Sequence, residues 1–249
     1  MPKNISDQRE ERIGELITAL SKKTNQFTSP PLIMIGGYAL RAYLPLSRYS
    51  RDCDFAIPKG QSWILEQIPS WLSGMTTETK AVLQTHAYLR VIQFLEGRVK
   101  VALDFMEAEI HGRNGERIII DNALLKNSTT ATLQVGSHSI TARVPSYEDF
   151  LILKIVSARP SDTRDIAALL WKNGLPNPEI IAQRATQIVV SPQQLNDKLQ
   201  GIIDDIKDDR FLDSWRGTFI TKTFTDKDKQ HTLTALRQLQ EACRKQGKH

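Results

Sequence analysis

The residues best suited to do chemistry are two aspartates, Asp52 and Asp54, in the stretch RDCDFAI. Charged and apolar residues alternate there, which predicts a half-exposed β-strand over 52–57. Side chains two residues apart on a strand point to the same face, so the two carboxylates lie side by side and Cys53 points to the opposite face. Neighbouring carboxylates repel each other unless a cation lies between them. Magnesium prefers carboxylate and phosphate oxygens, so the pattern predicts a magnesium site.

A third carboxylate, Asp104, lies in the apolar segment VALDFM. The pattern predicts a β-hairpin there, with strands over Ala87 to Leu95 and Val99 to Met106. If the strand of Asp104 lies beside the strand of Asp52, three aspartates meet at a site for two metal ions about 3.5–4 Å apart. The simpler alternatives are that the Asp-x-Asp pair is a solvated strand edge and that Asp104 caps buried backbone groups.

A glycine pair, Gly36-Gly37, follows the short apolar segment Leu32 to Ile35, which predicts a buried strand. Backbone N–H groups without side chains can approach an anion closely. The start of the helix predicted at Tyr38 to Leu44 adds to the attraction for phosphate. A Gly-Gly pair alone is usually only a turn. The order of strand, glycine pair, helix and Asp-x-Asp strand favours a phosphate-binding site.

Lys154 lies in the segment FLILKIV, which is apolar on every side and predicts a buried helix. A buried ammonium needs a partner, and a carboxylate or a ligand phosphate would serve. The alternative is a lysine that extends along the helix to solvent. Asp165 is either that partner or an acidic residue in the favourable first turn of a helix beginning at Ser161. A methionine of similar length should therefore preserve the fold at position 154.

The character of the sequence changes at about Pro145. Before this residue, strand and helix patterns alternate, and after it the pattern is almost entirely helical. Asn177-Pro178 is a typical helix start, and Gly174 is a typical helix stop. The sequence therefore predicts a mixed α/β (α+β) domain over residues 1–145 and a helical domain over residues 146–249.

Composition limits the class of protein only broadly. Lys and Arg outnumber Asp and Glu by 33 to 28, which favours anionic partners such as triphosphates or nucleic acid. The cysteines, Cys53 and Cys243, form no CxxC pair, which fits a reducing compartment and argues against structural zinc. The sequence has neither a signal-peptide pattern nor an apolar run of the roughly 20 residues that span a membrane. We therefore expect a cytoplasmic protein with no membrane contact.

Two segments resemble a known family. Gly36-Gly37 followed by RYSRDCD at 48–54 resembles the first motif of the DNA polymerase beta-type nucleotidyltransferase superfamily. The resemblance is closer to AbiEii-type abortive-infection nucleotidyltransferases, where Arg-x-Thr-x-Asp-x-Asp is typical and Ser50 here replaces the threonine. The segment from Ser146 through Lys154 to Asp165 resembles the second block of that family. The resemblance covers roughly residues 32–170.

This resemblance implies a nucleotidyltransferase-fold mixed sheet with flanking helices, followed by an α-helical lobe that completes the cleft. It implies Mg²⁺-dependent transfer of a nucleotide from a nucleoside triphosphate, such as ATP, to an acceptor hydroxyl, with release of pyrophosphate. The expected metal ligands, for two Mg²⁺ ions, are Asp52, Asp54 and Asp104. The expected triphosphate-binding residues are Gly36, Gly37, Arg48, Ser50 and Lys154. Lys154 and Asp165 complete the expected catalytic set with the three metal-binding aspartates.

Three functions remain open at this stage. The first is a toxin-like enzyme that modifies RNA, for example a tRNA end, and is held in check by a cognate antitoxin. The positive charge and the basic segment Arg244 to Lys248 favour it. The second is a small-molecule nucleotidyltransferase of the aminoglycoside-modifying kind. The third is a catalytically silent nucleotide-binding module, against which the three mutually repelling aspartates argue.

Overall fold

The computed structural model describes residues 4–44, 48–112, 115–189, 192–219 and 223–246. Its strands are β1 (Ile33–Ile35), β2 (Asp52–Ile57), β3 (Thr76–Val82), β4 (Ala87–Leu95), β5 (Val99–Glu107), β6 (Glu109–His111), β7 (Arg117–Ile119), β8 (Thr129–Val135) and β9 (His138–Val144). Its helices are α1 (Ile5–Lys23), α2 (Gly36–Ala39), α3 (Trp63–Trp71), α4 (Asn122–Asn127), α5 (Tyr147–Ser157), α6 (Pro160–Asn173), α7 (Pro178–Ile188), α8 (Pro192–Lys207), α9 (Phe211–Phe219) and α10 (Asp226–Gln246).

These elements form two compact units. The sheet unit comprises Met1–Ala42, Tyr49–Ile110 and Ile120–Ser146. The helical unit comprises Tyr43–Arg48, His111–Ile119 and Tyr147–His249. None of the helices in the described ranges combines the length and apolar character that a membrane span requires.

The sheet unit is built on a five-stranded mixed sheet in the order β1-β2-β5-β4-β3. β2 and β5 are parallel, whereas β1 pairs with β2, β5 with β4 and β4 with β3 in antiparallel fashion. On one face, Cys53, Phe55, Leu103 and Phe105 are fully buried. The rings of Phe55 and Phe105 stack with centroids 5.2 Å apart. This apolar face anchors β2 and β5 side by side, and therefore fixes which residues share the opposite face.

α1 covers part of this unit because its apolar residues recur at helical spacing. Ile13, Leu16, Ile17 and Leu20 form one buried stripe, and the Asn4 side chain caps the first turn by accepting from the Ser6 N–H. The stripe packs against β5 and against the β8–β9 hairpin. α1 thus ties the five-stranded sheet to the hairpin.

The helical unit is organised around α5, whose residues 149–156 are all buried. α5 packs against α6, α7 and α8, and α10 packs against the same three helices. Gly174 ends α6 with a positive φ of 74°, and the Asn177 side chain caps α7 by accepting from the Glu179 and Ile180 N–H groups. The Arg184 guanidinium pairs with buried Asp149 at 2.7 Å and joins α7 to α5.

The predicted fold class, a mixed sheet with flanking helices followed by helices, is confirmed. The strand over 52–57 lies where the alternation predicts it, and the β4–β5 hairpin lies where its two strands and turn were predicted. β3 was not predicted from the sequence, because nearly all its residues are exposed and polar, so no alternation marks it. The helix predicted at Tyr38 to Leu44 is instead the short α2 followed by a 3-10 turn, Leu40–Ala42. α6 begins at Pro160, one residue before the predicted start at Ser161.

Candidate active site

Three aspartates share one face of the five-stranded sheet. Asp52 and Asp54 alternate with buried Cys53 on β2, and Asp104 on β5 is the register partner of Asp54. Register partners on parallel strands lie about 4.8 Å apart and point to the same side of the sheet. The structure therefore brings Asp52, Asp54 and Asp104 to one face, opposite the core face that contains Cys53.

Asp104 is held by two side chains of β4. The Tyr88 hydroxyl donates to Asp104 Oδ1 at 2.6 Å, and Arg90 Nη1 donates to Oδ2 at 3.1 Å. Burial raises the pKa of the Asp104 carboxyl above its ordinary value and outweighs the lowering by the Tyr88 hydrogen bond and the Arg90 charge. Asp104 is therefore oriented from one side and is a better proton acceptor than an exposed aspartate.

Gly36 lies against the carboxylate of Asp54. Its φ is +70°, and a Cβ at this position would lie 2.1 Å from Asp54 Oδ2. Only glycine satisfies both conditions, because other residues rarely adopt this φ and their Cβ would displace the carboxylate. Gly37 follows as a buried residue of α2. The glycine pair thus lets the backbone approach the Asp54 carboxylate. The helix that contains the pair is only four residues long.

A buried polar cluster, not predicted from the sequence, supports the segment before β2. Glu10 on α1 accepts from the Tyr38 hydroxyl at 3.0 Å and from Arg41 Nη2 at 2.7 Å. The Tyr38 hydroxyl also lies 3.4 Å from the Ser50 carbonyl oxygen, and Ser50 Oγ donates to the Asp52 carbonyl oxygen at 3.1 Å. Burial, followed by the charge of Glu10, raises the pKa of Tyr38. The available sequence signal was that Glu10 lies on the apolar face of α1.

The donor set on this face fits magnesium. Asp52, Asp54 and Asp104 offer hard carboxylate oxygens, and the Asp52 side chain keeps 37% of its surface exposed. Each carboxylate oxygen has two acceptor positions, so the hydrogen bonds to Asp104 leave room for a cation. The three residues named from the sequence would hold such an ion.

In the helical unit, Lys154 is paired with two aspartates of α6. Its Nζ donates to Asp162 Oδ1 at 2.7 Å and to Asp165 Oδ2 at 2.8 Å. Lys154 is only 4% exposed, which rules out the alternative of a lysine that reaches solvent. Asp165 is fully buried and is the partner of Lys154, although it also lies early in α6.

Asp162 was missed by the sequence analysis. The available signal was Pro160, which marks the first turn of α6 and places Asp162 at the third helical position. Burial lowers the pKa of Lys154, but the charges of Asp165 and Asp162 outweigh burial and raise it overall. Burial raises the pKa of Asp162, but the charge and hydrogen bond of Lys154 outweigh it, so the pKa is lowered. Lys154 and Asp162 are therefore both charged at neutral pH.

Arg48 joins the same cluster. Its Nε and Nη2 donate to the two oxygens of Asp165 at 2.8 and 2.9 Å, a bidentate pair. The cluster thus combines two basic and two acidic side chains: Arg48, Lys154, Asp162 and Asp165. The triphosphate-binding roles expected for Arg48 and Lys154 stay predictions. In the structure, both cations are paired with the buried carboxylates of Asp162 and Asp165.

The expectation that methionine preserves the fold at position 154 does not follow from this geometry. It rested on the apolar surroundings of the helix and took no account of Asp162. Without the lysine, Asp162 would keep its hydrogen bond from the Arg159 N–H but lose its ammonium partner while remaining buried, and breaking a buried ion pair is strongly destabilising. Lys154 therefore has a structural role in joining α5 and α6.

A mixed sheet with three carboxylates on one face, followed by helices, is the arrangement expected of a nucleotidyltransferase. Residues 18–219 match the model of a family described as "Nucleotidyl transferase AbiEii toxin, Type IV TA system". The match covers most of the chain, so the chain belongs to this family and is a nucleotidyltransferase. The resemblance drawn from the two sequence motifs is thereby confirmed. No curated protein matches the chain.

Several solved structures are distantly similar. A Helicobacter pylori protein, described only provisionally as a nucleotidyltransferase, has a TM-score of 0.47 and 15% identity, covering 94% of each chain. JHP933 from Helicobacter pylori has a TM-score of 0.42 and 13% identity, covering 94% of this chain and 93% of that one. MenT4, a nucleotidyltransferase toxin from Mycobacterium tuberculosis H37Rv, has a TM-score of 0.40 and 15% identity, covering 96% and 82%. The assignment rests on the family model.

Proposed function

We propose that this chain transfers a nucleotide from a nucleoside triphosphate to a hydroxyl group of RNA and releases pyrophosphate. The observation that supports this most directly is the shared face of Asp52, Asp54 and Asp104, with the Gly36 backbone against Asp54. In this proposal, the three carboxylates hold two Mg²⁺ ions. When bound, such ions neutralise triphosphate charge and polarise the phosphoryl oxygens.

The reaction forms one bond and breaks one. The acceptor oxygen bonds to the α-phosphorus, the bond from this phosphorus to the bridging oxygen breaks, and pyrophosphate leaves. The proton of the acceptor hydroxyl passes to the Asp104 carboxylate.

The triphosphate would be held by residues near the amino-terminal end of β2. Gly36 and Gly37 would offer backbone N–H groups, and Ser50 would offer its hydroxyl group. The motif resemblance assigns Arg48 and Lys154 to the triphosphate as well, and Asp165 to the catalytic set. Positioning and charge stabilisation would account for most of the catalysis.

RNA as the acceptor is supported by the toxin family and by charge. The chain carries a formal excess of five positive charges, and the last turn of α10 contains Arg244 and Lys245. The end of the basic carboxy-terminal segment, residues 247 and 248, lies outside the described residues. Membership of a toxin family also supports a cognate antitoxin protein as partner.

The test is a labelling assay. The protein is incubated with Mg²⁺ and each labelled ribonucleoside triphosphate in turn, together with total cellular RNA or a panel of small hydroxyl compounds. We expect label in RNA, and no label in RNA when Mg²⁺ is chelated. Label that enters only small compounds at low salt would refute the RNA acceptor and support the aminoglycoside-type alternative.

Two variants make the assay specific to the site. Asp54→Asn removes one proposed metal ligand and should abolish labelling while leaving the melting temperature within a few degrees. Asp209→Asn makes the same chemical change at an exposed residue and should label RNA as the wild type does. Full labelling by Asp54→Asn would refute the proposed metal site.

A further inference from the structure

Arg90 on β4 lies among the carboxylates of the candidate site. It is the register partner of Asp104, so both side chains point to the same face of the sheet. Its Nη1 lies 3.1 Å from Asp104 Oδ2, its Nη2 lies 3.9 Å from Asp52 Oδ2 and its Nε lies 3.0 Å from Glu78 Oε2. One guanidinium therefore contacts carboxylates from β2, β3 and β5.

These contacts are partly shielded from solvent. The Arg90 side chain is 27% exposed, and Asp104 is buried. Glu78 is also paired with Lys100 at 2.6 Å, so it has a second cation, whereas the described contacts of Asp52 and Asp104 include no other cation. Charges separated by about 4 Å interact strongly when water is partly excluded. Arg90 is thus the principal positive charge acting on these two proposed metal ligands.

Tyr88 complements Arg90 without adding charge. It lies two residues earlier on β4 and donates to the other oxygen of Asp104 at 2.6 Å. The two β4 side chains therefore determine the direction in which the Asp104 carboxylate faces. Arg90 alone has the charge to oppose a cation there.

We propose that Arg90 is a positioning residue that acts as an internal counter-ion for Asp52 and Asp104 and competes with Mg²⁺ for them. The inference rests on the proposed function, in which these carboxylates hold Mg²⁺. It has two consequences. Arg90 stabilises the carboxylate face when Mg²⁺ is scarce, and it raises the Mg²⁺ concentration needed to fill the site.

The test uses Mg²⁺ alone as the probe, without triphosphate or RNA. The melting temperature is measured in chelator and across a Mg²⁺ titration for the full-length wild type, Arg90→Gln and Arg98→Gln. Arg98 is exposed in the β4–β5 turn, so its variant loses the same charge away from the site. We expect Arg90→Gln to melt below the wild type in chelator and to reach its half-maximal Mg²⁺ shift at an about tenfold lower concentration. Arg98→Gln should follow the wild type.

Arg90→Lys covers the case in which Arg90→Gln does not fold. A single ammonium cannot reproduce the fork that contacts Asp104 and Asp52 together, so this variant should also respond at lower Mg²⁺ than the wild type. Mg²⁺ midpoints of Arg90→Gln and Arg90→Lys equal to the wild type would overturn the inference. If Asp54→Asn still removes the wild-type Mg²⁺ shift in that case, the proposed metal site survives. If the wild type itself shows no Mg²⁺ shift, both proposals fail.

Discussion

At the scale of the residue, the site depends on close contacts that leave no room for substitution. Gly36 shows this most clearly, because its backbone lies directly against the Asp54 carboxylate. A larger residue would meet two separate penalties there, one from the positive φ and one from the carboxylate. These two penalties can be measured separately.

We predict that Gly36→Ala abolishes nucleotide transfer and lowers the free energy of unfolding by more than the ordinary cost of a positive φ. That cost is about 1–2 kcal/mol, and the displacement of Asp54 adds to it. Gly97→Ala is the matched control, because Gly97 has a φ of +68° and nothing within 4 Å of the added Cβ. Urea denaturation and the labelling assay measure both effects. Equal losses of stability and full activity in both variants would contradict the prediction.

At the scale of the element, Lys154 joins α5 to α6 through Asp162 and Asp165. We predict that Lys154→Met lowers the free energy of unfolding by about 3–5 kcal/mol, because it removes the ammonium that pairs with the buried carboxylates of Asp162 and Asp165. Lys227→Met, at an exposed position of α10, should change it by less than about 0.5 kcal/mol. Adding Asp162→Asn to Lys154→Met should recover part of the loss. A Lys154→Met protein as stable as the wild type would show that this pair does not hold the helices together.

The stabilisation by the Lys154–Asp162 ion pair is restricted to a defined pH range. The pKa of Asp162 is lowered, so its stabilisation is present above the ordinary value of 3.8 and is lost as the pH falls through the lowered pKa. The pKa of Lys154 is raised, so its stabilisation is present below 10.5 and is lost as the pH rises through the raised pKa. The stability difference between the wild type and Asp162→Asn should accordingly shrink below pH 3.8.

Sequence patterns predicted the elements whose own residues carry a clear pattern of polarity. β2 was predictable because buried and partly exposed residues alternate at its start, β5 because it is a mostly apolar segment after a turn, and α5 because its segment is apolar throughout. β3 was not, because its exposed polar residues resemble a loop. Arg90 and Asp162 were missed for another reason: each acts through a partner on a different strand or helix. Register between strands and packing between helices determine such pairs, and neither can be read from local spacing.

At the scale of the whole molecule, the positive excess predicts salt-sensitive RNA binding. Each phosphate contact with single-stranded RNA contributes about 0.7 to the slope of log affinity against log salt. We predict that Arg244→Gln with Lys245→Gln lowers this slope by about 1.4. Lys22→Gln with Lys23→Gln, at the exposed end of α1, is the matched control and should leave the slope unchanged. Filter binding across a salt series measures the slopes. An equal reduction in both double variants would show that RNA is bound through diffuse charge.

The parallel pairing of β2 with β5 has a consequence during protein synthesis. β3 and β4 lie between these two strands in the chain, so a ribosome completes both before it reaches Asp104. A nascent chain that ends within β4 has Asp52 and Asp54 but lacks the third carboxylate. Pairing between distant segments also forms more slowly than pairing between neighbours. The face with three carboxylates therefore cannot assemble before the ribosome has passed Asp104, whereas the Asp52–Asp54 strand is made well before that.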